Sequence, residues 1–111
     1  MNRGEVWWYE EEGAKRRPYL VLTRDEAIPV LDEILGAPAT RTARNIPTEV
    51  PLDESDGMPA PCALTLDNIR PILTSLCTRR ITQLDAHRMA MVCEALVAAT
   101  GCRPRHSPIP G

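Results

Sequence analysis

The sequence predicts a small, mainly β domain of the α+β class, an antiparallel sheet of about five strands closed by one C-terminal helix. β-Prone runs bounded by Gly, Pro and acidic turn residues recur through the first two thirds of the chain. One capped, amphipathic stretch follows near the end. A length of 111 residues suits one core and is too short for two independent ones.

The first strand is read in Gly4-Glu5-Val6-Trp7-Trp8-Tyr9, ended by the acidic loop Glu10 to Gly13. Pro18 to Thr23 is a continuous apolar run opened by proline, which suits a strand buried on both faces, with Pro18 where a missing N–H does least harm. The two form an antiparallel pair with Lys15, Arg16 and Arg17 at its mouth. Arg24 to Ile28 allows a short helical turn that Pro29 keeps from growing. Ile34 to Ala39 reads as a strand with irregular pairing at Gly36 and Pro38, followed by the polar loop Thr40 to Asn45. Thr48 to Leu52 is an edge strand because Pro51 cannot donate to a central ladder, and Cys62 to Leu66 returns to β structure.

The helix begins at Asp85, a good N-cap, with Leu84 and Met89 placed as a hydrophobic staple. Met89, Val92, Cys93, Leu96 and Val97 recur at helical spacing and are expected to pack on the sheet, and Gly101 ends the helix. The domain is thus expected over residues 1–102, and residues 103–111, with three prolines, as a disordered tail.

Thirteen basic residues face fifteen acidic ones, so no global field draws a polyanion and any nucleic-acid contact must be local. Of the basic residues all but Lys15 are Arg, whose planar fork suits phosphate, although an Arg-rich genome produces the same bias. Cys62, Cys77, Cys93 and Cys102 form no Cys-x-x-Cys pair and read as buried or incidental thiols in a reducing compartment. No apolar run approaches the ~20 residues of a membrane span, and a cytoplasmic location is expected.

No Gly-rich phosphate loop, His-Glu-x-x-His or nucleophile elbow occurs. His87, in the first helical turn, and His106, in the tail, are poorly placed to share one phosphate. The acidic clusters fall mostly in loops and read as solvated faces rather than a two-metal centre. What remains is Arg17 beside Pro18 at a strand start, with Thr40 and the Arg41/Arg44 loop after a later strand. Two such strand ends can face one phosphate, the guanidinium meeting the charge of a phosphorane and a hydroxyl adding a donor. From spacing alone, a surface arginine and a polar turn threonine account for the same residues.

Arg3-Gly4-Glu5-Val6-Trp7, Arg17 to Asp25, Ala37-Pro38-Ala39-Thr40, Pro47-Thr48-Glu49-Val50, Asp67-Asn68-Ile69-Arg70 and Arg80 to Leu84 occur in an order that resembles the MazF/PemK (Kid) toxins of bacterial toxin–antitoxin pairs. The resemblance covers roughly residues 3 to 102, and the wording is closest to the mycobacterial branch. It implies a curved, SH3-like β-barrel with a helix packed on it, forming a homodimer. It also implies metal- and cofactor-independent cutting of single-stranded RNA at short sequences, leaving 2′,3′-cyclic phosphate and 5′-hydroxyl ends. By the same resemblance Arg17 acts at the scissile phosphate and Thr40 assists it. Arg16, Arg41, Arg44, Asn68 and Arg70 become candidates for phosphate or base contacts, with Asn68 equally able to brace its turn. Trp7 and Trp8 are candidate stacking faces; strand alternation lets at most one face the RNA, and Trp8 is the one assigned.

The resemblance further implies a small cognate antitoxin whose C-terminal segment occupies the RNA groove. The loop Glu10 to Arg16 is shorter than in many relatives, and its acidic triplet would repel RNA unless it swings aside. A toxin of the same fold that binds a protein target such as DNA gyrase, or a catalytically dead RNA binder, are the competing expectations.

Overall fold

The computed structural model describes residues 1–102; the tail expected from Arg103 onward lies outside the described residues. Seven strands form, rather than about five: β1 (Glu5–Tyr9), β2 (Arg17–Val21), β3 (Glu33–Thr40), β4 (Glu49–Leu52), β5 (Cys62–Thr65), β6 (Arg70–Leu73) and β7 (Cys77–Gln83), followed by the helix α1 (Ala86–Thr100). All pairings are antiparallel, in the order β4-β5-β3-β2-β1-β7, with β6 attached to β3.

Strand β3 holds this together by changing partners along its length. Its first half pairs with β6 (Glu33 to Gly36), its middle with β2 (Gly36 to Pro38) and its end with β5 (Ala39 and Thr40). Gly36 stands where β2, β3 and β6 meet. A Cβ there would lie 2.7 Å from Ile72 Cδ1 and 3.1 Å from Tyr19 Cδ2, so the strands approach this closely only across a glycine.

The two strands without an expectation escaped for physical reasons. β6 is four residues, contains Pro71 and pairs only with β3, so the missing N–H costs no ladder bond on its open side. β7 is mostly exposed and polar, and its register with β1 slips twice, stepping over Ile81 and Thr78. Each slip breaks the two-residue alternation by which a strand is recognised.

The run from Pro18 is buried on both faces as expected, because the sheet has a core on each side. Val6, Leu20, Ala37, Val50, Leu64 and Val92 belong to the cluster beneath α1, whereas Tyr9, Tyr19, Val21, Ile34 and Ile72 belong to the cluster on the opposite face. Between β2 and β3 the chain turns at Arg24 to Ala27 and then makes a 3-10 turn at Ile28–Val30, with Pro29 near its start where no N–H is required.

Helix α1 starts as expected, the Asp85 carboxylate accepting from the Arg88 N–H at 2.8 Å. It ends at Gly101 in the left-handed conformation, φ 67°, whose N–H reaches the Val97 carbonyl at 2.8 Å. Its buried arc is rotated from the expected stripe: Val92 and Ala95 are buried, with Met89, Met91, Leu96 and Ala99 against them, and Cys93 and Val97 are exposed. The small alanines let the helix sit close on that side, and a half-buried Arg88–Asp56 pair at 2.9 Å fixes the rotation. Among the described residues no helix is long and apolar enough to cross a membrane.

Glu5 is the one buried carboxylate of the sheet, 7% exposed. It accepts from the Trp7 indole N–H at 3.0 Å and the Asn2 backbone N–H at 2.8 Å, and pairs with Arg80 at 3.2 Å. Burial pushes its carboxyl up, but these hydrogen bonds, the nearby chain amine and Arg80 outweigh burial and hold its pKa below the ordinary carboxylate value. A lowered folded-state pKa contributes stability that is complete above the unfolded value and is lost as pH falls through the folded one. Glu5→Gln should therefore cost about 1 kcal/mol at neutral pH, with the difference from the parent shrinking in acid, as read from urea unfolding at a series of pH values.

Candidate active site

Arg17 is the first residue of β2 and lies opposite Tyr9 on β1, so the two side chains leave the same face of the sheet. That face carries Trp7 and Tyr9 from β1, Tyr19 from β2, Pro38 from β3 and, beyond the Gly36 gap, Arg70 from β6. Arg17 is exposed and takes no part in the three salt bridges among the described residues, so its charge is uncompensated.

The face has an aromatic floor. Tyr9 and Tyr19 meet edge to face, centroids 5.1 Å apart at 64°, and the Tyr9 hydroxyl accepts from the Leu73 N–H at 3.1 Å. The Arg70 guanidinium lies over both rings, 5.6 Å from the Tyr9 centroid and 5.4 Å from that of Tyr19. Its Nη2 donates to Glu11 Oε1 at 2.5 Å, and its Nε is shielded from solvent with no partner. The Glu11 hydrogen bond foremost holds the Arg70 pKa above its usual value, so the group is a permanent cation.

Thr40 ends β3, where that strand passes to β5. The β2–β3 register ends at the Tyr19–Pro38 pair, and alternation from that pair puts Arg17 and Thr40 on the same face of the sheet. The Thr40 hydroxyl oxygen accepts from the Thr42 N–H at 3.2 Å, which leaves its own O–H as a donor. An exposed guanidinium, a hydroxyl donor and a second guanidinium on an aromatic floor are the kinds of group that recognise anions such as a phosphodiester. Among the described residues no group of three or more His, Cys, Asp or Glu is placed to hold a metal ion.

The family model for the PemK-like, MazF-like toxins of type II toxin–antitoxin systems matches residues 2–100. The chain belongs to this family. A relative from Mycobacterium tuberculosis, named "Probable endoribonuclease MazF5", is 42% identical over 101 residues, spanning 90% of this chain and 93% of the relative. Of the solved structures, the M. tuberculosis toxin MazF-mt6 superposes with a TM-score of 0.82 at 31% identity, over 90% of this chain and 99% of that one. A MazE-MazF crystal structure (Form-II) from Deinococcus radiodurans gives 0.79 at 25% identity, over 93% and 97%.

In this MazF-like chain the residues singled out from sequence fall in four places. Arg17, Thr40 and Arg70 share the face just described. Arg41 and Arg44 extend from it on the exposed loop after β3, which is pinned where the Arg44 N–H reaches Glu49 Oε1 at 2.8 Å. Asn68 is exposed on the 3-10 turn Leu66–Asn68, beside Asp67, whose carboxylate accepts from Thr48 Oγ1 at 2.6 Å.

Trp8 leaves the opposite face, with Val6 and Leu20, and the Arg16 guanidinium covers its ring at 4.1 Å. Trp7 is the tryptophan on the Arg17 side, half-buried and tied to Glu5. Cys62 and Cys77 are half-buried, with burial pushing their thiols up, and all four cysteines are free.

Tyr9, Tyr19 and Glu11 are the members of this face that sequence reasoning passed over. The tyrosines were legible only as strand core, and their shared face follows from a register that neither sequence segment contains. Gly36→Ala should drive Ile72 and Tyr19 apart at a cost of about 1–3 kcal/mol. The measurable results are a lower urea midpoint and an altered near-ultraviolet tyrosine dichroism from the floor beneath Arg70.

Proposed function

We propose that this protein is an endoribonuclease toxin that cleaves single-stranded RNA by attack of the ribose 2′-hydroxyl on the adjacent phosphate. The observation that carries the reading is the shared placement of Arg17, Thr40 and Arg70 around one anion-binding face, in a family whose M. tuberculosis relative is named as an endoribonuclease. The 2′-oxygen forms a bond to phosphorus, the bond to the 5′-oxygen breaks, and the products are a 2′,3′-cyclic phosphate and a 5′-hydroxyl. The proton lost by the 2′-hydroxyl and the one gained by the 5′-oxygen are exchanged with water.

The nucleophile belongs to the substrate, so the protein supplies in-line geometry and charge. Arg17 stabilises the phosphorane and Thr40 donates to one of its equatorial oxygens. A guanidinium keeps its proton in proteins, so Arg17 acts electrostatically and not as a base. Arg70 binds a neighbouring phosphate, while Arg16, Arg41, Arg44 and Asn68 contact the strand further along. The donors are guanidinium and hydroxyl groups, which need no metal. Because the 2′-hydroxyl is the nucleophile, DNA is bound without being cut.

The protein works as a homodimer in the cytoplasm. Leu31, Leu35 and Pro71 form an exposed apolar strip along the β3–β6 edge, with Leu73 beside it, which a second copy would cover. The Deinococcus radiodurans neighbour is a MazE-MazF structure, and a cognate antitoxin here inserts an acidic, apolar segment across Arg17 and Arg70.

Purified protein incubated with mixed-sequence RNA in EDTA should release fragments with cyclic-phosphate ends, and intact RNA at high enzyme concentration would overturn the proposal. Arg17→Ala should lower the rate by about 10²–10³-fold and Thr40→Val by about tenfold, with unchanged thermal unfolding. Growth inhibition that survives Arg17→Ala would instead point to a protein target.

A further inference from the structure

The Arg70–Glu11 contact divides the edge of a guanidinium unevenly. Nε–H and one N–H of Nη2 point the same way and together form the side-on fork that takes two oxygens of one phosphate. Here Nη2 is engaged by a single Glu11 oxygen, and Nε, on the same edge, is buried and has no acceptor. A buried donor with no partner is unfavourable, a deficit that a bidentate anion removes and a one-oxygen contact leaves.

The competing carboxylate is loosely held. Both side chains of the pair are about two-fifths exposed, and Glu11 sits in an exposed loop whose other acids are engaged elsewhere or not at all. Glu10 receives the Thr78 hydroxyl at 2.6 Å, and the Ala14 N–H meets the Glu11 backbone carbonyl, which leaves the Glu11 side chain with Arg70 alone among its recorded contacts. The acceptor half of the pair is thus exposed and held by one bond, whereas the donor half is seated on Tyr9 and Tyr19.

We propose that the Nε/Nη2 edge of Arg70 is a phosphodiester subsite beside Arg17, and that Glu11 is an internal competitor that occupies half of it until a nucleic-acid phosphate displaces the carboxylate. The inference deepens the ribonuclease reading of the same face and rests on it for the nature of the ligand. Exchange trades one charge-assisted bond for two and gives Nε its missing acceptor. It also means that the acidic loop lowers affinity for every phosphate chain by a fixed factor, whatever its sequence.

The test is binding of a mixed-sequence single-stranded DNA oligonucleotide, which carries the phosphates without the 2′-nucleophile, to the full chain and to Glu11→Gln, Arg70→Gln and the double variant. Glu11→Gln should bind about fivefold more tightly, in line with the loss of an exposed ion pair. Arg70→Gln should bind more weakly, and the double variant should bind no better than Arg70→Gln. Unchanged or weaker binding by Glu11→Gln would overturn the proposal and make Glu11 a positioning residue for Arg70. A gain that persists in the double variant would overturn it too, since it would not pass through Arg70. RNA cleavage by the unaltered protein is scored separately, so failure of the ribonuclease reading and failure of the subsite leave different records.

Discussion

Strand β3 imposes the constraint on which the other elements depend, because one eight-residue segment must hydrogen-bond to three different strands. That is possible only if the strand curves and if something at the crossing has no side chain. Gly36 meets the second condition, with Ile72 and Tyr19 packed into the space a Cβ would take. One face of the sheet carries the Tyr9–Tyr19 pair as a floor, while the opposite face takes the helix.

The floor explains how Arg70 is held at this face. Arg70 is neutralised by Glu11 and its flat face is spread over aromatic rings, so it presents only an edge. Arg17 stays exposed at the strand end, where water screens it.

Much of this was legible in the residues themselves. The run Pro18 to Val21, the edge strand ending at Leu52 and the capped helix were readable because burial and end chemistry leave local marks: an apolar run, a proline, an Asp and a Gly. β6 and β7 left none, since β6 is short and proline-bearing and β7 slips register at Thr78 and Ile81. The helix stripe was rotated for a related reason, as alanines that allow close approach look neutral in a hydrophobic pattern. Arg17, Thr40 and Arg70 were found through an ordered set of family motifs. The tyrosine floor and the Glu11 contact depend on which strands are neighbours, and that information lies in pairings between distant segments. Trp8 was assigned to the RNA side, yet alternation places it with Val6, and only the partner strand reveals which face is which.

Thr40 lies at the joint where β3 leaves the β1–β2 side and enters the ribbon made with β4 and β5, whereas Arg17 lies wholly on the first side. The hydroxyl and the guanidinium are therefore mounted on two plates that share a single strand as their axle. A small rotation of the β4–β5 ribbon about that axle changes the gap between them without altering either residue's own surroundings. In the ribonuclease proposed above, a molecule that grips the ribbon would act on that spacing from a distance.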